Sequence, residues 1–260
     1  MSKVIAISNQ KGGTSKSTST INLGVSLHKK GYKVILIDLD SQGSLSISLG
    51  ITEPDRLDKT ICNAFEAVIE EKEIIIDDLI CHHQEGIDFI PANIDLAAMD
   101  VYLVNVLGRE RILNEVIEEL RKKYDYILID CMPSLGMLTI NAFASANSVL
   151  IPVQAAYLSV KGLEQLIKSV GKVRRQINPK LTIEGVVITM VDQRTNYAKE
   201  IIDMLKNAYG EHLRIFKSMI PLSVRASEAS AAGISIFLHE PKGKVAQSYL
   251  GLCEEVLSNE

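Results

Sequence analysis

A lysine and a serine stand next to each other in a glycine-rich stretch near the start of the chain, a combination that can bind phosphate groups. In a turn between a strand and a helix, backbone N–H groups and the positive helix end surround phosphate oxygens, and glycines let the main chain approach closely. Lys16 can bring a mobile positive charge to the β- and γ-phosphates, and the Ser17 hydroxyl can ligate Mg²⁺. The residues predicted to bind nucleotide phosphates are Lys11, Gly12, Gly13, Thr14, Ser15, Lys16, Ser17 and Thr18.

This stretch departs from the common pattern G-x-x-x-x-G-K-[ST] at both glycines, because Gln10 and Ser15 hold those positions. Its context still favours a phosphate loop, since an aliphatic run at residues 4–8 precedes it and a helical pattern follows it. Two other interpretations stay open: a glycine-rich turn with an incidental lysine, and a dinucleotide-binding turn. The second lacks G-x-G-x-x-G, and a lysine is atypical of that turn.

Aspartates end two further aliphatic runs of the sequence. Asp38 and Asp40 close one run, and Asp130 closes another. Residues i and i+2 of a strand project on the same side, so Asp38 and Asp40 are expected to point past the strand's carboxyl end, where open α/β sheets bind ligands. An aspartate beside a phosphate loop suits Mg²⁺ held through bound waters. Each acid alone could simply end a buried strand, but three strands delivering such groups to one edge favour a single site.

The elements that must position these residues are short aliphatic runs alternating with helical patterns. Most runs are continuous rather than alternating, which is typical of strands buried on both faces. This order predicts an α/β fold with a doubly wound, mostly parallel sheet and helices on both faces. No repeat, low-complexity tract or long linker interrupts it, so residues 1–260 are expected to form a single domain. The predicted strands are residues 4–8, 33–38, 87–91, 126–130, 148–153, 183–191 and 215–220.

The composition narrows the class of protein. Apolar residues make up 47% and aromatic residues 5%, with no Trp, so the core must be mainly aliphatic. No apolar run reaches the ~18 residues of a membrane span, and the first residues do not resemble a signal peptide. The cysteines form no pattern typical of a disulfide framework or a metal cluster, so a reduced, cytoplasmic protein is expected. They are Cys62, Cys81, Cys131 and Cys253.

Motifs along nearly the whole chain together resemble the ParA/MinD class of deviant Walker-A ATPases, and within it the ParA/Soj partitioning branch. At the phosphate loop, Gln10 agrees with this variant pattern. The residues that carry the resemblance are Asn9-Gln10-Lys11-Gly12-Gly13, Ile37-Asp38-Leu39-Asp40-Ser41-Gln42-Gly43, Tyr126, Asp130-Cys131-Met132-Pro133-Ser134-Leu135-Gly136, Ile151-Pro152-Val153-Gln154, Gly162-Leu163, Asp192-Gln193-Arg194-Thr195-Asn196, Ile220-Pro221 and Val224-Arg225-Ala226-Ser227-Glu228-Ala229.

The resemblance implies a role for each matching residue. Lys11 is similar to the signature lysine that reaches across a dimer to the partner's nucleotide, and Asp40 to the residue that positions the attacking water. Lys16 and Ser17 correspond to the loop lysine and the Mg²⁺ ligand. Asp130 corresponds to the Walker-B acid, with Asp38 supporting the Mg²⁺ environment. The Ile220-Pro221 region would lie against adenine.

The same resemblance implies a cytoplasmic homodimer that sandwiches two ATP molecules with Mg²⁺, binds DNA non-specifically on the nucleoid and is stimulated by a ParB-type partner. A lysine donated by the partner would supply transition-state charge only in the dimer, which would couple assembly to hydrolysis. The sequence departs from the family at Ser15, where Gly is usual, and at Leu222, where Arg is frequent. Two further departures are Met132 and Ala156, where Pro and Glu are common.

Charge is distributed unevenly along the chain, although the net charge is only −4. Residues 51–100 carry a net −10 and residues 161–217 a net +5, so a local basic face is expected to meet DNA phosphates, and a dimer would double it. A solvated basic surface without a partner stays open as the alternative. The residues predicted to contact DNA phosphates are Lys168, Lys172, Arg175, Arg194 and Arg225.

Three further functions stay open at this point. An ATP-gated binding module with negligible hydrolysis is suggested by Ser15 and Leu222. A MinD-like ATPase that cycles on membranes would need a basic amphipathic C-terminal helix, whereas the tail at 247–260 carries acids and no base. An iron–sulfur relative would need a cysteine ligand pattern that the chain lacks.

Overall fold

The computed structural model describes residues 2–192 and 194–258, except for the side chains of residues 158–161. Gln193, which belongs to one of the motifs above, lies outside the described residues, as do the last two residues of the 247–260 tail. Seven strands of the described chain join one sheet in the order β3-β4-β2-β5-β1-β6-β7. They are β1 (Lys3–Ile7), β2 (Val34–Leu39), β3 (Cys81–His82), β4 (Asp88–Ile90), β5 (Tyr126–Cys131), β6 (Ser148–Gln154) and β7 (Thr182–Thr189).

All neighbouring strands in this order are parallel except β3 and β4, which pair antiparallel at one edge. The helices are α1 (Lys16–Lys29), α2 (Ser44–Ser48), α3 (Ile61–Ile69), α4 (Asp95–Tyr102), α5 (Ile112–Arg121), α6 (Met137–Ser145), α7 (Tyr157–Gln176), α8 (Asn196–Tyr209), α9 (Val224–Ala231), α10 (Ile236–His239) and α11 (Lys244–Leu257). Short 3₁₀ helices cover Pro54–Arg56, Ile76–Leu79 and Leu103–Asn105.

The core lies in two layers, one on each face of the sheet. In β2, Ile35 and Ile37 belong to one buried cluster, whereas Val34 and Leu36 belong to the other. Side chains alternate between the faces of a strand, so a continuous aliphatic run fills both layers. The predicted doubly wound, mostly parallel α/β fold is therefore confirmed.

Two details of the strand prediction were wrong. Residues 215–220 do not form a strand, because their backbone meets β7 at separated points: an isolated bridge of Ile215, and bonds from the Phe216 N–H to the Val186 carbonyl and from the Ile220 N–H to the Ile188 carbonyl. The reason is local: the N–H groups of Lys217 and Ser218 donate to the Glu255 carboxylate instead of a ladder. The prediction also missed β3, whose two residues are too few to show a periodicity.

The sheet brings the predicted chemistry to one edge. Ile7 at the end of β1 lies in register with Asp130 on β5, and Asp130 lies in register with Asp38 on β2. Parallel neighbours end on the same side, so the loop after β1 meets the acids of β2 and β5.

Candidate functional site

The loop after β1 is held by hydrogen bonds from several elements. The Asn9 side chain donates to the Pro152 carbonyl (2.6 Å) and accepts from the Lys11 N–H (3.0 Å), which ties the loop to β6. From the end of β7, the Thr189 hydroxyl donates to the Thr14 carbonyl (3.1 Å). These contacts fix the backbone just before α1, where N–H groups at the helix start can face an anion.

Ser15 adopts a left-handed backbone conformation directly before α1, with φ 64° and ψ 34°. A residue other than glycine pays roughly 1–2 kcal/mol there, because Cβ approaches the following carbonyl. The sequence left open whether Ser15 would keep an ordinary φ, and it does not. No side chain caps α1 at this position, so Ser15 holds a strained turn at the helix end that faces the site.

The two neighbouring aspartates of β2 and β5 differ in their hydrogen bonds. Asp38 is fully buried and accepts from the Ser46 N–H (2.9 Å), the Ser46 hydroxyl (2.7 Å) and the Asp40 N–H (3.2 Å). Asp130 is equally buried, yet neither of its carboxylate oxygens has a hydrogen-bond partner among the described residues. Asp38 therefore anchors the loop that leads into α2, whereas Asp130 keeps its acceptor capacity unused.

Burial also changes the acidity of this pair. It raises the pKa of Asp130 well above its usual range, and the nearby Asp38 carboxylate raises it further. The Ser17 hydroxyl and the Lys16 ammonium lower the pKa of Asp130 only in part. Burial likewise raises the pKa of Asp38. A cation beside Asp130 would favour the ionised form and relieve this penalty.

A cleft of about 550 Å³ opens beside the loop, within the size range of small-molecule sites. It unites the loop from Gly12 to Thr18 with Asp40, whose Oδ1 accepts from the Gln42 N–H (3.1 Å). Its lining also includes Ile220 and Pro221, so the predicted phosphate and base regions share one cleft. The predicted residues Lys11, Asp38 and Asp130 are not among the described residues that line it.

Sequence reasoning missed several residues of this cleft. Tyr249 of α11 lines it and shares a hydrogen bond with Ser19 of α1 (3.2 Å between oxygens). Met190, which follows β7, also lines it and has a positive φ of 53°. Neither belongs to a recognisable motif, because each reaches the cleft only through the fold. The positive φ of Met190 has no signal in the sequence.

The predicted DNA contacts lie on three separate elements. Lys168, Lys172 and Arg175 line a groove between α7 and α8, and Lys168 pairs with Glu164 (2.6 Å). Arg194 forms two hydrogen bonds with the Asp192 carboxylate (2.8 Å each). Arg225 pairs with Glu228 on α9 (2.9 Å). Three of the five cations thus face a neighbouring acid rather than solvent alone.

A second basic group was not predicted. Arg194 shares a groove with Lys242 and Lys244, which precede and begin α11, and this groove adjoins the cleft at Pro221 and Leu222. Within the described residues, no group of three or more His, Cys, Asp or Glu side chains could hold a metal ion alone. None of the described helices is long and apolar enough to cross a membrane.

Known proteins resemble the chain over its full length. A family model described as an AAA domain matches residues 2–183. The sporulation initiation inhibitor protein Soj of Bacillus subtilis (strain 168) is 41% identical over 259 residues, covering 100% of both chains. The chromosome partitioning protein ParA of Caulobacter vibrioides is 36% identical, covering 99% of this chain and 95% of that protein. The solved structure of cobyrinic acid a,c-diamide synthase from Mycobacterium smegmatis, with bound ATP analogue and magnesium, has a TM-score of 0.87 at 30% identity, covering 100% of this chain and 95% of that one.

Proposed function

The chain belongs to the ParA/Soj family of partitioning ATPases, and on that premise we propose that it is an ATP-dependent dimeric switch. In this proposal residues 1–260 act as one ATPase domain that hydrolyses ATP with Mg²⁺. The ATP-bound dimer binds DNA non-specifically, and a ParB-type partner stimulates slow hydrolysis to segregate plasmid, chromosome or mobile-element DNA. The observation that carries the proposal is the cleft in which the loop from Gly12 to Thr18, Asp40 and the Ile220–Pro221 segment meet.

The residues fit a magnesium nucleotide. Asp130 offers buried carboxylate oxygens that no described residue satisfies, a costly arrangement unless a cation or its waters bind there. The Ser17 hydroxyl would ligate Mg²⁺, with Asp130 holding its waters and Asp38 supporting Asp130 from the next strand. Mg²⁺ often keeps several waters and binds few protein groups, which agrees with a site built on one serine and one unsatisfied acid. When bound, Mg²⁺ neutralises charge on the phosphate oxygens.

Each residue of the cleft then has a chemical task. Backbone N–H groups before α1 bind the phosphates. Lys16, which is only 8% exposed, stabilises charge on the transferred phosphoryl group. Asp40 lies in the same cleft and is held by the Gln42 N–H, so its carboxylate can orient the attacking water. Ile220 and Pro221, which line the same cleft, supply an apolar surface for the base.

The proposed dimer is supported by an unusual apolar face. Val101, Tyr102, Val104 and Leu107 lie at the end of α4 and just after it, and 70%, 56%, 52% and 96% of their surfaces are exposed. Exposed apolar area on the order of 400 Å² is at the level that marks an interaction site. A second copy of the chain is the occupant we propose, because α4 is bonded to the start of α6, which follows the segment after Asp130.

The connection to the nucleotide site runs through α6. The Asp100 carboxylate on α4 accepts from the Leu138 N–H (2.9 Å), and a Cβ on Gly136 would lie 2.3 Å from Asp100. Pro133, in the same segment after Asp130, lines the cleft. In this proposal a copy seated on α4 contacts the segment that carries Pro133 to the cleft, and Lys11 of one protomer reaches the partner's nucleotide.

The C-terminal helix favours this proposal over a membrane-cycling ATPase. The apolar residues Tyr249, Leu252, Cys253 and Val256 of α11 are buried in the core. They are thus occupied within the protein and do not form an exposed face for a lipid surface.

The test is light scattering with Mg²⁺ and either ATP or ADP. We expect a dimer with ATP and a monomer with ADP. Leu107→Glu should prevent the dimer, whereas Ile75→Glu, which alters another exposed apolar residue (61%), should not. A chain that stays monomeric with ATP while binding it would contradict the switch.

Hydrolysis is tested separately by phosphate release. Asp40→Ala should lower the rate about 100-fold while nucleotide affinity stays unchanged, because general-base positioning contributes at least that much. The strained Ser15 favours one second candidate, an ATP-gated module with negligible turnover. Phosphate release at background level with DNA and partner present would support that module instead.

A further inference from the structure

The turn between β3 and β4 packs against a segment about 150 residues later in the chain. The Glu85 carboxylate accepts from the Ser235 N–H (2.7 Å) and from the Ser235 hydroxyl. The His83 ring contacts the Gly233 carbonyl through Nε2 (3.0 Å). Both side chains are buried, with 9% and 5% of their surfaces exposed. The turn therefore makes a buried polar contact with the linker between α9 and α10.

This linker is also fixed from its other sides. The Ile236 N–H donates to the Asn22 side chain on α1 (2.9 Å), and Asn22 in turn donates to the Thr18 carbonyl (2.7 Å). A Cβ on Gly233 would lie 2.7 Å from the Gly50 Cα, so the two backbones touch. The linker thus sits between α1, the end of α2 and the β3–β4 turn.

The helix that precedes this linker forms one wall of the nucleotide cleft. Ala226, Ser227 and Ser230 of α9 line the cleft together with the loop and the start of α1. Glu85 and His83 are not among its lining residues. Any influence of Glu85 on a bound nucleotide must therefore pass through Ser235, either back to α9 or through Ile236 and Asn22 to α1.

We propose that Glu85 is a positioning residue for the nucleotide cleft, acting through Ser235 to hold the α9 wall in place. The inference rests on the proposed function in that the cleft must bind ATP. A buried carboxylate that accepts from a backbone N–H and a hydroxyl forms charge-assisted bonds, which are the stronger kind. They keep the end of α9 in one arrangement before the ligand arrives, so less ordering remains when the ligand binds.

Loss of this contact should weaken nucleotide binding and leave the chemical step intact. The loop, Lys16 and Asp40 meet the reacting phosphates, and none of them is bonded to Glu85. The expected signature is a higher Kd and KM with kcat within about twofold of the wild type. A residue that only supports the fold would lower the melting temperature without this selectivity.

The experiment compares variants at the two ends of the same hairpin by titration with fluorescently labelled ATP and Mg²⁺. Glu85→Ala should raise the Kd about tenfold, and Glu85→Gln, which keeps one acceptor oxygen, should recover part of the loss. The matched control is Asp88→Ala, which breaks the side-chain contact to His82 within the hairpin (2.6 Å) and the contact to Tyr124 before β5 (2.7 Å). Neither contact involves Ser235 or α9. We expect it to lower the melting temperature but to leave the Kd within twofold.

A double-mutant cycle supplies the second readout. Ser235→Ala removes a single hydroxyl at the same contact and should raise the Kd about threefold, so it decides the matter if Glu85→Ala does not fold. Combined with Ser230→Ala on α9, either variant should show a non-additive change in Kd. Wild-type affinity in Ser235→Ala and Glu85→Gln, or an equal loss in Asp88→Ala, would overturn the positioning role. Failure of the wild-type chain itself to bind ATP would instead overturn the proposed function.

Discussion

Asp38 and Asp130 lie in register on adjacent parallel strands, yet within the described residues only Asp38 has its carboxylate satisfied by hydrogen bonds. The pair separates two tasks that a single acid could not perform. Asp38 uses its acceptors to hold Ser46 and the start of α2. Asp130 leaves its acceptors available, and burial raises its pKa well above the usual range.

The first prediction concerns the effect of Asp130 on the stability of the protein when no ligand is bound. Its pKa is raised in the folded state, so the native protein retains a proton that the unfolded chain loses above roughly pH 4. Stability without Mg²⁺ should therefore fall as the pH rises from about 4 toward neutrality. Asp130→Asn removes this titration and should stabilise the ligand-free protein by about 1–3 kcal/mol at pH 7, with little gain near pH 4.

Thermal unfolding from pH 4 to 8 without Mg²⁺ measures this difference. In the same variant, Mg²⁺ and ATP together should raise the melting temperature much less than in the wild type. A variant that is less stable than the wild type at pH 7 would show that Asp130 contributes to the fold rather than to the ligand.

The second prediction concerns Ser15. Ser15→Gly relieves the left-handed strain of roughly 1–2 kcal/mol but adds freedom to the unfolded chain, which costs 0.5–1 kcal/mol. We expect a net gain of about 0.5–1 kcal/mol in the free energy of unfolding, measured by urea denaturation. Ser15→Ala keeps the strain and should give no gain. An equal gain in both variants would assign the effect to the hydroxyl.

The third prediction concerns the contact between β7 and the phosphate loop. Thr189→Val keeps the side-chain shape but removes the donor to the Thr14 carbonyl, which should cost about 1 kcal/mol. Because the loop is then less fixed, nucleotide affinity should fall about threefold in a labelled-ATP titration. Thr182→Val is the control, since Thr182 lies exposed at the other end of the strand and its hydroxyl donates to the Asn147 carbonyl, away from the loop. If both variants lowered nucleotide affinity equally, the loss would come from a general disturbance of β7 and not from the contact with Thr14.

The fourth prediction concerns DNA binding. The Asp192 carboxylate accepts two hydrogen bonds from the Arg194 guanidinium and one from the Arg194 backbone N–H, and these contacts lower the pKa of Asp192 to about 2. Asp192→Asn should release the guanidinium and strengthen DNA binding, with the slope of log K against log salt steeper by about 0.9 for each phosphate gained. Arg194→Gln should weaken binding and flatten the slope. Fluorescence anisotropy with labelled DNA, at salt concentrations from about 50 to about 200 mM, measures the affinity and the slope for both variants.

A parallel pair tests the groove between α7 and α8. Glu164→Gln releases Lys168 in the same way. If this change strengthens DNA binding and Asp192→Asn does not, the DNA-binding face lies on α7 instead of beside α11.

The sequence predicted the fold class and half of the cleft for a physical reason. Buried parallel strands are continuous aliphatic runs, and their carboxyl ends share one edge, so the loop around Lys16 and the acids Asp40 and Asp130 had to converge. The other residues of the cleft could not be predicted from the pattern of strands. Tyr249 and Met190 reach the cleft through α11 and the end of β7, whose placement depends on the packing of the whole sheet.

The details that the sequence could not supply are those that depend on neighbours in space. Ser15 was identified as a departure, but only the backbone reveals its left-handed conformation. Glu85 and Ser235 lie 150 positions apart, and neither segment contains a sequence pattern that predicts their contact. The acids that pair with Arg194 and Arg225, namely Asp192 and Glu228, are close to them in sequence. Whether each pair forms still depends on how the local backbone orients the side chains.

The cleft described here is assembled from both ends of the chain. Residues 12–18 of its lining come from the start of the chain, whereas Met190, Ile220, Pro221, the lining residues of α9 and Tyr249 come from the last third. During synthesis on the ribosome the loop emerges long before the wall that faces it. A nascent chain should therefore be unable to hold ATP tightly until α11 has been released and has packed against α1, so nucleotide can stabilise the finished protein but cannot guide its early folding.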